Sequence, residues 1–175
     1  MRNACNVILI GPMGAGKTRV GQSLARRLHL PFYDTDQAIE EQTGVDIPFI
    51  FDKEGELGFR KREKDIVERL TQKKGIVLST GGGTVLDAVN RRHLQASGIV
   101  IYLSVSIVSQ LARMAHNKRR PLLSLENQQD NLRQLNALRR PLYEQMAELT
   151  YNTDEANVQG LVKQIISDIN VIQST

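Results

Sequence analysis

The segment Gly11-Pro12-Met13-Gly14-Ala15-Gly16-Lys17-Thr18, the phosphate loop, has the residue types and spacing of a site that binds phosphate groups. Its glycines let successive backbone N–H groups turn toward phosphate oxygens, and Lys17 can reach the outer phosphates. The Thr18 hydroxyl can take one coordination position of Mg²⁺. An apolar run precedes the loop and a helical pattern follows it, which is unlike an ordinary glycine-rich turn. We therefore expect this segment to bind a nucleoside triphosphate.

Two carboxylates, Asp34 and Asp36, follow the apolar pair Phe32-Tyr33. Transfer from a triphosphate needs a divalent cation and an acceptor hydroxyl held in line with the phosphate. Asp34 can hold the metal through water, and Asp36 can bond the acceptor hydroxyl. The alternative is that either residue only caps the helix that follows.

A triple glycine, Gly81-Gly82-Gly83, comes directly after another apolar run and offers backbone N–H groups to a ligand. The alternative is a flexible turn between a strand and a helix. Arg60 lies in a charge-rich helical pattern, and such a pattern usually forms only a solvent-exposed helix face. It differs from its neighbours because Glu63, three residues on, can orient its guanidinium.

Two further arginines precede prolines. Arg120 lies in the polar stretch 116–128, which has no periodicity and joins two helical patterns. A connection of that length is either a lid over the site or a mobile connector. Arg139 lies in a strong helical pattern in which Pro141 is expected to kink or restart the helix.

Strand and helix patterns alternate along the whole chain, which predicts an α/β fold with a largely parallel sheet. Strands are predicted at 6–10, 32–33, 76–79 and 99–103, with a weaker one at 150–152. Helices are predicted at 18–28, 36–42, 56–72, 85–96, 107–115, 129–147 and 157–169. Ligands of such sheets bind beyond the carboxyl ends of the strands, where the phosphate loop, Asp34 and the triple glycine all fall.

Composition is that of an ordinary globular chain of 175 residues, 41% hydrophobic and 24% charged. The net charge of +4 is dispersed, without a basic track or aromatic platform for nucleic acid. No apolar run is long enough to cross a bilayer. The single cysteine indicates a reducing compartment, and the first residues leave no room for a secretory signal, so we expect a cytoplasmic protein. One Cys and three scattered His make no zinc site.

Taken together, these motifs resemble the shikimate kinase family, a group of small P-loop kinases similar to nucleoside-monophosphate kinases. The resemblance runs from about Asn6 to Ile169. It implies a three-layer P-loop NTPase fold with a five-stranded parallel sheet of order 2-3-1-4-5. It also implies a single domain over 1–175, with an acceptor-binding helical region at about 34–61 and a lid at about 114–127. The implied activity is transfer of the γ-phosphate of ATP to the 3-hydroxyl of shikimate, with Mg²⁺, by a monomer without nucleic-acid or membrane partners.

The resemblance also implies a role for each candidate residue. ATP would be bound by Gly14, Ala15, Gly16, Lys17, Thr18, Arg19 and Arg120. Shikimate would be bound by Asp36, Arg60, Gly82 and Arg139. The metal would be held by Thr18 directly and by Asp34 through water, and catalysis would rest on Lys17, Asp36, Arg120 and Arg139. Arg19 departs from the Thr of many members, and the adenine-side segment 153–159 varies too much for assignment.

Other functions are compatible with parts of the pattern. Gluconate also carries a carboxylate and hydroxyls, and a nucleoside monophosphate carries an anionic phosphate, so a kinase for either is the nearest alternative. A regulator that binds nucleotide without turnover would keep the phosphate loop alone. Binding to nucleic acid is suggested only by the sequence pI of about 9.4.

Overall fold

A five-stranded parallel sheet forms the centre of the molecule. The computed structural model describes residues 5–115 and 127–174. The strands are β1 (Asn6–Ile10), β2 (Phe32–Asp34), β3 (Val77–Ser79), β4 (Gly98–Ser104) and β5 (Leu149–Asn152). Their order is β2-β3-β1-β4-β5, and every neighbouring pair is parallel. The α/β class predicted from the sequence pattern and the strand order implied by the family resemblance are both confirmed.

Helices cover both faces of this sheet. They are α1 (Lys17–Leu28), α2 (Thr35–Thr43), α3 (Ile47–Thr71), α4 (Ala88–Ser97), α5 (Ile107–Met114), α6 (Gln128–Met146) and α7 (Val158–Ser174), with a 3₁₀ turn at Thr84–Leu86. None of the helices within the described ranges is both long and apolar enough to pass through a bilayer.

Two apolar layers hold the sheet between the helices. Because side chains alternate along a strand, Val7 and Leu9 of β1 face one layer and Ile8 and Ile10 face the other. The first layer packs against α1 and α7, and the second against α2, α3, α4 and α6. All five residues of β1 are buried, as expected for the central strand of a parallel sheet.

Helix α3 begins earlier than the predicted start at residue 56. Asp46 caps it by accepting a hydrogen bond from the Phe49 N–H, and Pro48 occupies its first turn. The helix is broken at Gly55, whose φ of 69° and ψ of −174° are not helical. The prediction missed the first segment of α3 because the segment is short and because Gly55 separates it from the periodic part of the helix. Few other residues could adopt the backbone angles of Gly55.

Two other predicted helices also differ from the structure. The predicted helix 85–96 is a 3₁₀ turn followed by α4, which starts after Asp87 because that carboxylate accepts from the N–H groups of Val89 and Asn90. Pro141 is expected to kink or restart its helix; the helix does not restart there, since α6 continues through Pro141 to Met146.

Candidate functional site

The phosphate loop joins the end of β1 to the start of α1. Gly14 and Gly16 have φ values of 78° and 84°, in the left-handed region that favours glycine. The loop therefore turns tightly before the first turn of α1, and the positive end of that helix faces the cleft.

Lys17 is held against the backbone of the loop. Its side-chain Nζ donates to the carbonyl oxygens of Gly11 at 2.7 Å and Pro12 at 2.8 Å. The residue is only 8% exposed, so its ammonium lies within the loop rather than in bulk water. The ammonium group of Lys17 is therefore held beside the backbone of the phosphate loop.

Two side chains of α5 hold the next two carbonyl groups of the loop. Gln110 Nε2 donates to the carbonyl oxygen of Met13 at 2.7 Å, and Arg113 Nη1 donates to that of Gly14 at 2.9 Å. A trans peptide directs its C=O and its N–H to opposite sides. These contacts therefore turn the N–H groups that follow away from α5.

Thr18 and Asp34 lie together beside the loop. The Thr18 hydroxyl donates to Asp34 Oδ2 at 3.1 Å. The other oxygen of Asp34 accepts from the N–H groups of Asp36 and Gln37, so this carboxylate also caps α2. The two interpretations of Asp34 are thus compatible, because one oxygen caps the helix and the other faces Thr18.

This pair of oxygens suits Mg²⁺, which prefers oxygen ligands and keeps several waters and phosphate oxygens. Within residues 5–115 and 127–174, no three His, Cys, Asp or Glu side chains cluster as a metal cage. A divalent ion that arrives with a nucleotide fits this arrangement better than one bound by protein alone.

The glycine turn (Gly81–Gly83), after β3, is enclosed by polar side chains. A Cβ atom at Gly81 would lie 2.8 Å from Asp36 Oδ1, and one at Gly83 would overlap the guanidinium of Arg60. Since real Cβ atoms do not approach that closely, these glycines leave the space in which the two side chains lie.

The middle glycine of the turn joins this region to the phosphate loop. A Cβ at Gly82 would be 3.4 Å from both Arg139 Nη1 and the backbone nitrogen of Met13. The ends of β1 and β3 therefore meet here, and Arg139 of α6 reaches the same point.

Arg60 is fixed by two carboxylates. Its guanidinium lies 2.8 Å from Glu63 and 3.3 Å from Glu56. Glu63 is 1% exposed, and its second oxygen accepts from the Thr84 hydroxyl at 2.8 Å. Burial opposes the charge of Arg60, but the two carboxylates outweigh it and raise the pKa of the guanidinium. The expected contact of Glu63 with Arg60 is present.

Arg139 is a buried cation of a different kind. It is 4% exposed, no described carboxylate forms an ion pair with it, and its Nε has no hydrogen-bond partner in the described part of the chain. Burial lowers the pKa of the guanidinium, which still stays charged because the ordinary value is so high. A buried cation without a carboxylate partner is costly unless a ligand supplies the anion.

Helix α6 also supports the glycine turn through Tyr143. Its hydroxyl donates to the carbonyl oxygen of Gly82, and its ring stacks on that of Tyr102 with centroids 5.1 Å apart. Burial raises the pKa of this phenol well above its usual range, so it stays a donor.

The structure thus brings most of the predicted residues to one cleft: Gly14–Thr18 and Asp34 on one side, and Asp36, Arg60, Gly82 and Arg139 on the other. Arg19 is exposed on α1 beside them. Arg120 lies outside the described residues, as does most of the predicted lid at 114–127. The rings of Phe51 and Phe59 lie 4.9 Å apart on the same helix as Arg60, and Phe59 belongs to the core.

Several residues of the site escaped the sequence analysis. Gln110 and Arg113 looked like ordinary members of a helix, and their only signal was a spacing of three that places them on one face. Arg113 also donates to the backbone carbonyl oxygens of Thr153 and Asp154, which ties the loop after β5 to the phosphate loop. Backbone donation from Ser106 lowers the pKa of Asp154 to about 2, so its carboxylate is ionised at neutral pH.

Comparison with known proteins gives the same match at three levels. A family model described as shikimate kinase matches residues 13–170. Shikimate kinase from Vibrio parahaemolyticus is 50% identical over 161 residues, covering 92% of this chain and 94% of that protein. The enzyme from Haemophilus influenzae is 52% identical over 166 residues, covering 94% of this chain and 92% of its own.

Solved structures agree with the sequence match. Shikimate kinase from Acinetobacter baumannii in complex with shikimate superposes with a TM-score of 0.93 at 46% identity, covering 95% of this chain and 93% of the other. A deoxyadenosine kinase from M. mycoides with bound dCTP shares the fold at 15% identity, with a TM-score of 0.65, covering 95% of this chain and 99% of its own.

Proposed function

Because the chain belongs to the shikimate kinase family, we propose that its cleft holds ATP on the phosphate loop and shikimate against the glycine turn. The chain is an ATP-dependent kinase that acts on shikimate. The proposal concerns which residues carry out each part of the reaction and which hydroxyl is phosphorylated.

The charged side chains around the glycine turn support shikimate as the phosphate acceptor. Arg139 is a buried cation without a described carboxylate partner, and Arg60 lies near it with its carboxylates already in place. A ligand carboxylate would compensate Arg139, because a guanidinium binds a carboxylate through two parallel N–H donors. Asp36, against the same turn, is placed to accept from hydroxyl groups. A hydroxylated ring acid is the ligand with both features.

Asp36 and Lys17 have separate tasks in the transfer. Asp36 orients the 3-hydroxyl and takes its proton; it need not be a strong base, because the transition state of phosphoryl transfer is loose. When ATP binds, Lys17 gives up its hydrogen bonds to the carbonyl oxygens of Gly11 and Pro12 and contacts the β- and γ-phosphates instead. Its ammonium group neutralises negative charge on those phosphates. The loop N–H groups bind the remaining phosphate oxygens.

Mg²⁺ is the proposed metal, with Thr18 as a direct ligand and Asp34 acting through water. When bound, the ion would supply positive charge that offsets the negative charge of the phosphates. The 3.1 Å contact between Thr18 and Asp34 supports this proposal, because it brings the two oxygens together beside the phosphate loop.

The nucleoside end of ATP is proposed to lie between α5 and the loop after β5. Arg113 forms one side of the proposed nucleoside site. It donates hydrogen bonds both to the phosphate loop and to the carbonyl oxygens of Thr153 and Asp154. Arg19 is proposed to contact the phosphates through its backbone N–H. Arg120 is proposed to reach them from the lid, on the strength of the family resemblance alone.

We also propose that the protein is a cytoplasmic monomer without nucleic-acid or membrane partners. The large exposed apolar side chains of the described residues, such as Phe49, Leu57 and Val108, are spread over different helices. Sedimentation at micromolar concentration tests the monomer directly.

A coupled ADP-release assay with shikimate, gluconate or AMP as acceptor tests the assignment. We expect turnover with shikimate and little with the others; turnover of gluconate but not shikimate would refute it. Phosphorus NMR of the product identifies the hydroxyl that carries the phosphate. ATP binding without ADP release for any acceptor would indicate a regulator instead.

Two variants test the proposed roles in the same assay. Lys17→Ala should reduce kcat by about 100-fold or more, as for other preorganised donors, without loss of the fold. Asp36→Asn should spare ATP binding and reduce kcat by about 100-fold or more, because the orienting carboxylate is neutralised. Near-normal kcat in either variant would remove that residue from the mechanism, and circular dichroism checks the fold of both.

A further inference from the structure

We infer that Gln110 and Asn136 are positioning residues that set the shape of the phosphate loop from outside the cleft. Gln110 lies on α5 and Asn136 on α6, and neither belongs to the predicted site. The inference rests on the proposed role of the phosphate loop in binding ATP.

Only one assignment of donors and acceptors satisfies the hydrogen bonds of Gln110 and Asn136. Gln110 is completely buried, and its Nε2 donates to the carbonyl oxygen of Met13 at 2.7 Å. Its Oε1 accepts from Asn136 Nδ2 at 2.7 Å. A carbonyl can only accept, so Gln110 must present its NH₂ to Met13 and its oxygen to Asn136. Asn136 must therefore donate.

The pair of Gln110 and Asn136 positions one peptide group of the phosphate loop. The C=O of Met13 and the N–H of Gly14 belong to one planar peptide and point to opposite sides. By holding the C=O from behind, Gln110 turns the N–H of Gly14 away from α5. A Cβ at Gly14 would lie 3.4 Å from the Cα of Gln110, so the helix packs directly on this peptide.

The pair also joins the two helices that flank residues 115–127. Helix α5 ends at Met114 and helix α6 begins at Gln128. Arg139, three residues after Asn136 on α6, faces the glycine turn. Through Asn136, the Met13–Gly14 peptide is therefore linked to α6, the helix that also carries Arg139, a proposed shikimate-binding residue.

Replacing Asn136 by Asp or by Ala distinguishes positioning from packing. Asn136→Asp keeps nearly the same side-chain shape but places a carboxylate oxygen against Gln110 Oε1, which forces the amide of Gln110 away from Met13. Asn136→Ala only removes the donor. We expect KM for ATP to rise about three- to tenfold for Asn136→Asp and about twofold for Asn136→Ala, consistent with one lost hydrogen bond.

Controls separate this effect from charge and from general damage. Gln134→Glu adds the same charge at an exposed position of α6 and should leave both KM values and kcat unchanged. KM for shikimate should change less than twofold in both Asn136 variants. Gln110→Met, which keeps the volume and removes both hydrogen bonds, should raise KM for ATP as much as Asn136→Asp, and adding Asn136→Ala to it should have no further effect.

The results are decisive in either direction. A larger effect of Asn136→Asp than of Asn136→Ala on KM for ATP, with Gln134→Glu silent, supports the inference. An effect of Asn136→Ala equal to or larger than that of Asn136→Asp, wild-type KM in both, or a change confined to the melting temperature overturns it. If Gln110→Met does not fold, the two Asn136 variants still decide. Wild-type protein that binds no ATP would refute the proposed function instead.

Discussion

Glu63 is the residue on which the position of Arg60 depends. It is 1% exposed, and its two oxygens are shared between Arg60 and the Thr84 hydroxyl. A buried carboxylate is stable only when charged and neutral donors satisfy it, which is the case here. Glu63 therefore positions Arg60, which we propose to bind shikimate.

Glu63→Gln should weaken shikimate binding and lower stability together. The variant keeps the shape but removes the charge that holds Arg60, so KM for shikimate should rise about tenfold and stability should fall by about 1–3 kcal/mol. Initial rates and urea unfolding measure the two effects. Glu56→Gln is the control, since Glu56 is half exposed and its ion pair with Arg60 should contribute little. Equal effects of the two variants would contradict the argument.

Arg139→Lys should fail although it preserves the charge. An ammonium cannot present two parallel donors to a carboxylate, and its transfer into a buried site is more costly than that of a guanidinium. KM for shikimate should rise about tenfold or more, and kcat should fall as well. The neighbouring Arg140→Lys, at a residue with a 70% exposed side chain, should behave as wild type. Unchanged KM and kcat for Arg139→Lys would show that Arg139 has no part in binding.

At the level of elements, the break in α3 has the clearest consequence. Gly55 separates the segment with Phe51 from the segment with Phe59 and Arg60, and Glu54 and Arg62 form a two-pronged ion pair across it. Without the break, α3 would run on as a straight helix and could not turn around the acceptor side of the cleft.

Gly55→Ala should therefore destabilise the protein although no atom lies within 4 Å of the added methyl group. The φ of 69° with ψ of −174° is strained for any residue with a Cβ, at a cost of about 1–3 kcal/mol. Gly160→Ala, in α7 with equally open surroundings, should instead stabilise by about 0.5–1 kcal/mol. Urea unfolding of both compares them; a Gly55→Ala variant as stable as wild type would contradict the strain.

The elements also show how much the sequence could predict. β1, the phosphate loop and α1 were predictable to within a residue, because a buried strand, a glycine loop and an amphipathic helix each have a local pattern. The site roles of Asp36, Arg60 and Arg139 stay predictions that rest on strand-end topology and the family resemblance, and all three side chains lie beside the glycine turn. Gln110 and Asn136 were not predictable, because their pairing joins two helices that are separate in sequence.

At the scale of the whole molecule, the proposed site has a nucleotide side at the phosphate loop and an acceptor side at the glycine turn. Phosphoryl transfer requires that water be excluded, so we expect the acceptor helices and the lid to close over both ligands. X-ray scattering should show a radius of gyration of about 16 Å for the free monomer, decreasing when shikimate and an ATP analogue are both bound. Identical curves for free and doubly bound protein would argue against closure.

The crowded glycine turn has a consequence for the design of inhibitors. At Gly81 and Gly83, the room that a side chain would occupy is already taken by Asp36 and Arg60. A compound that hydrogen-bonds to the backbone of Gly81 and Gly83 would contact positions at which few substitutions are tolerated. A side chain at either position would displace Asp36 or Arg60, which we propose to bind shikimate.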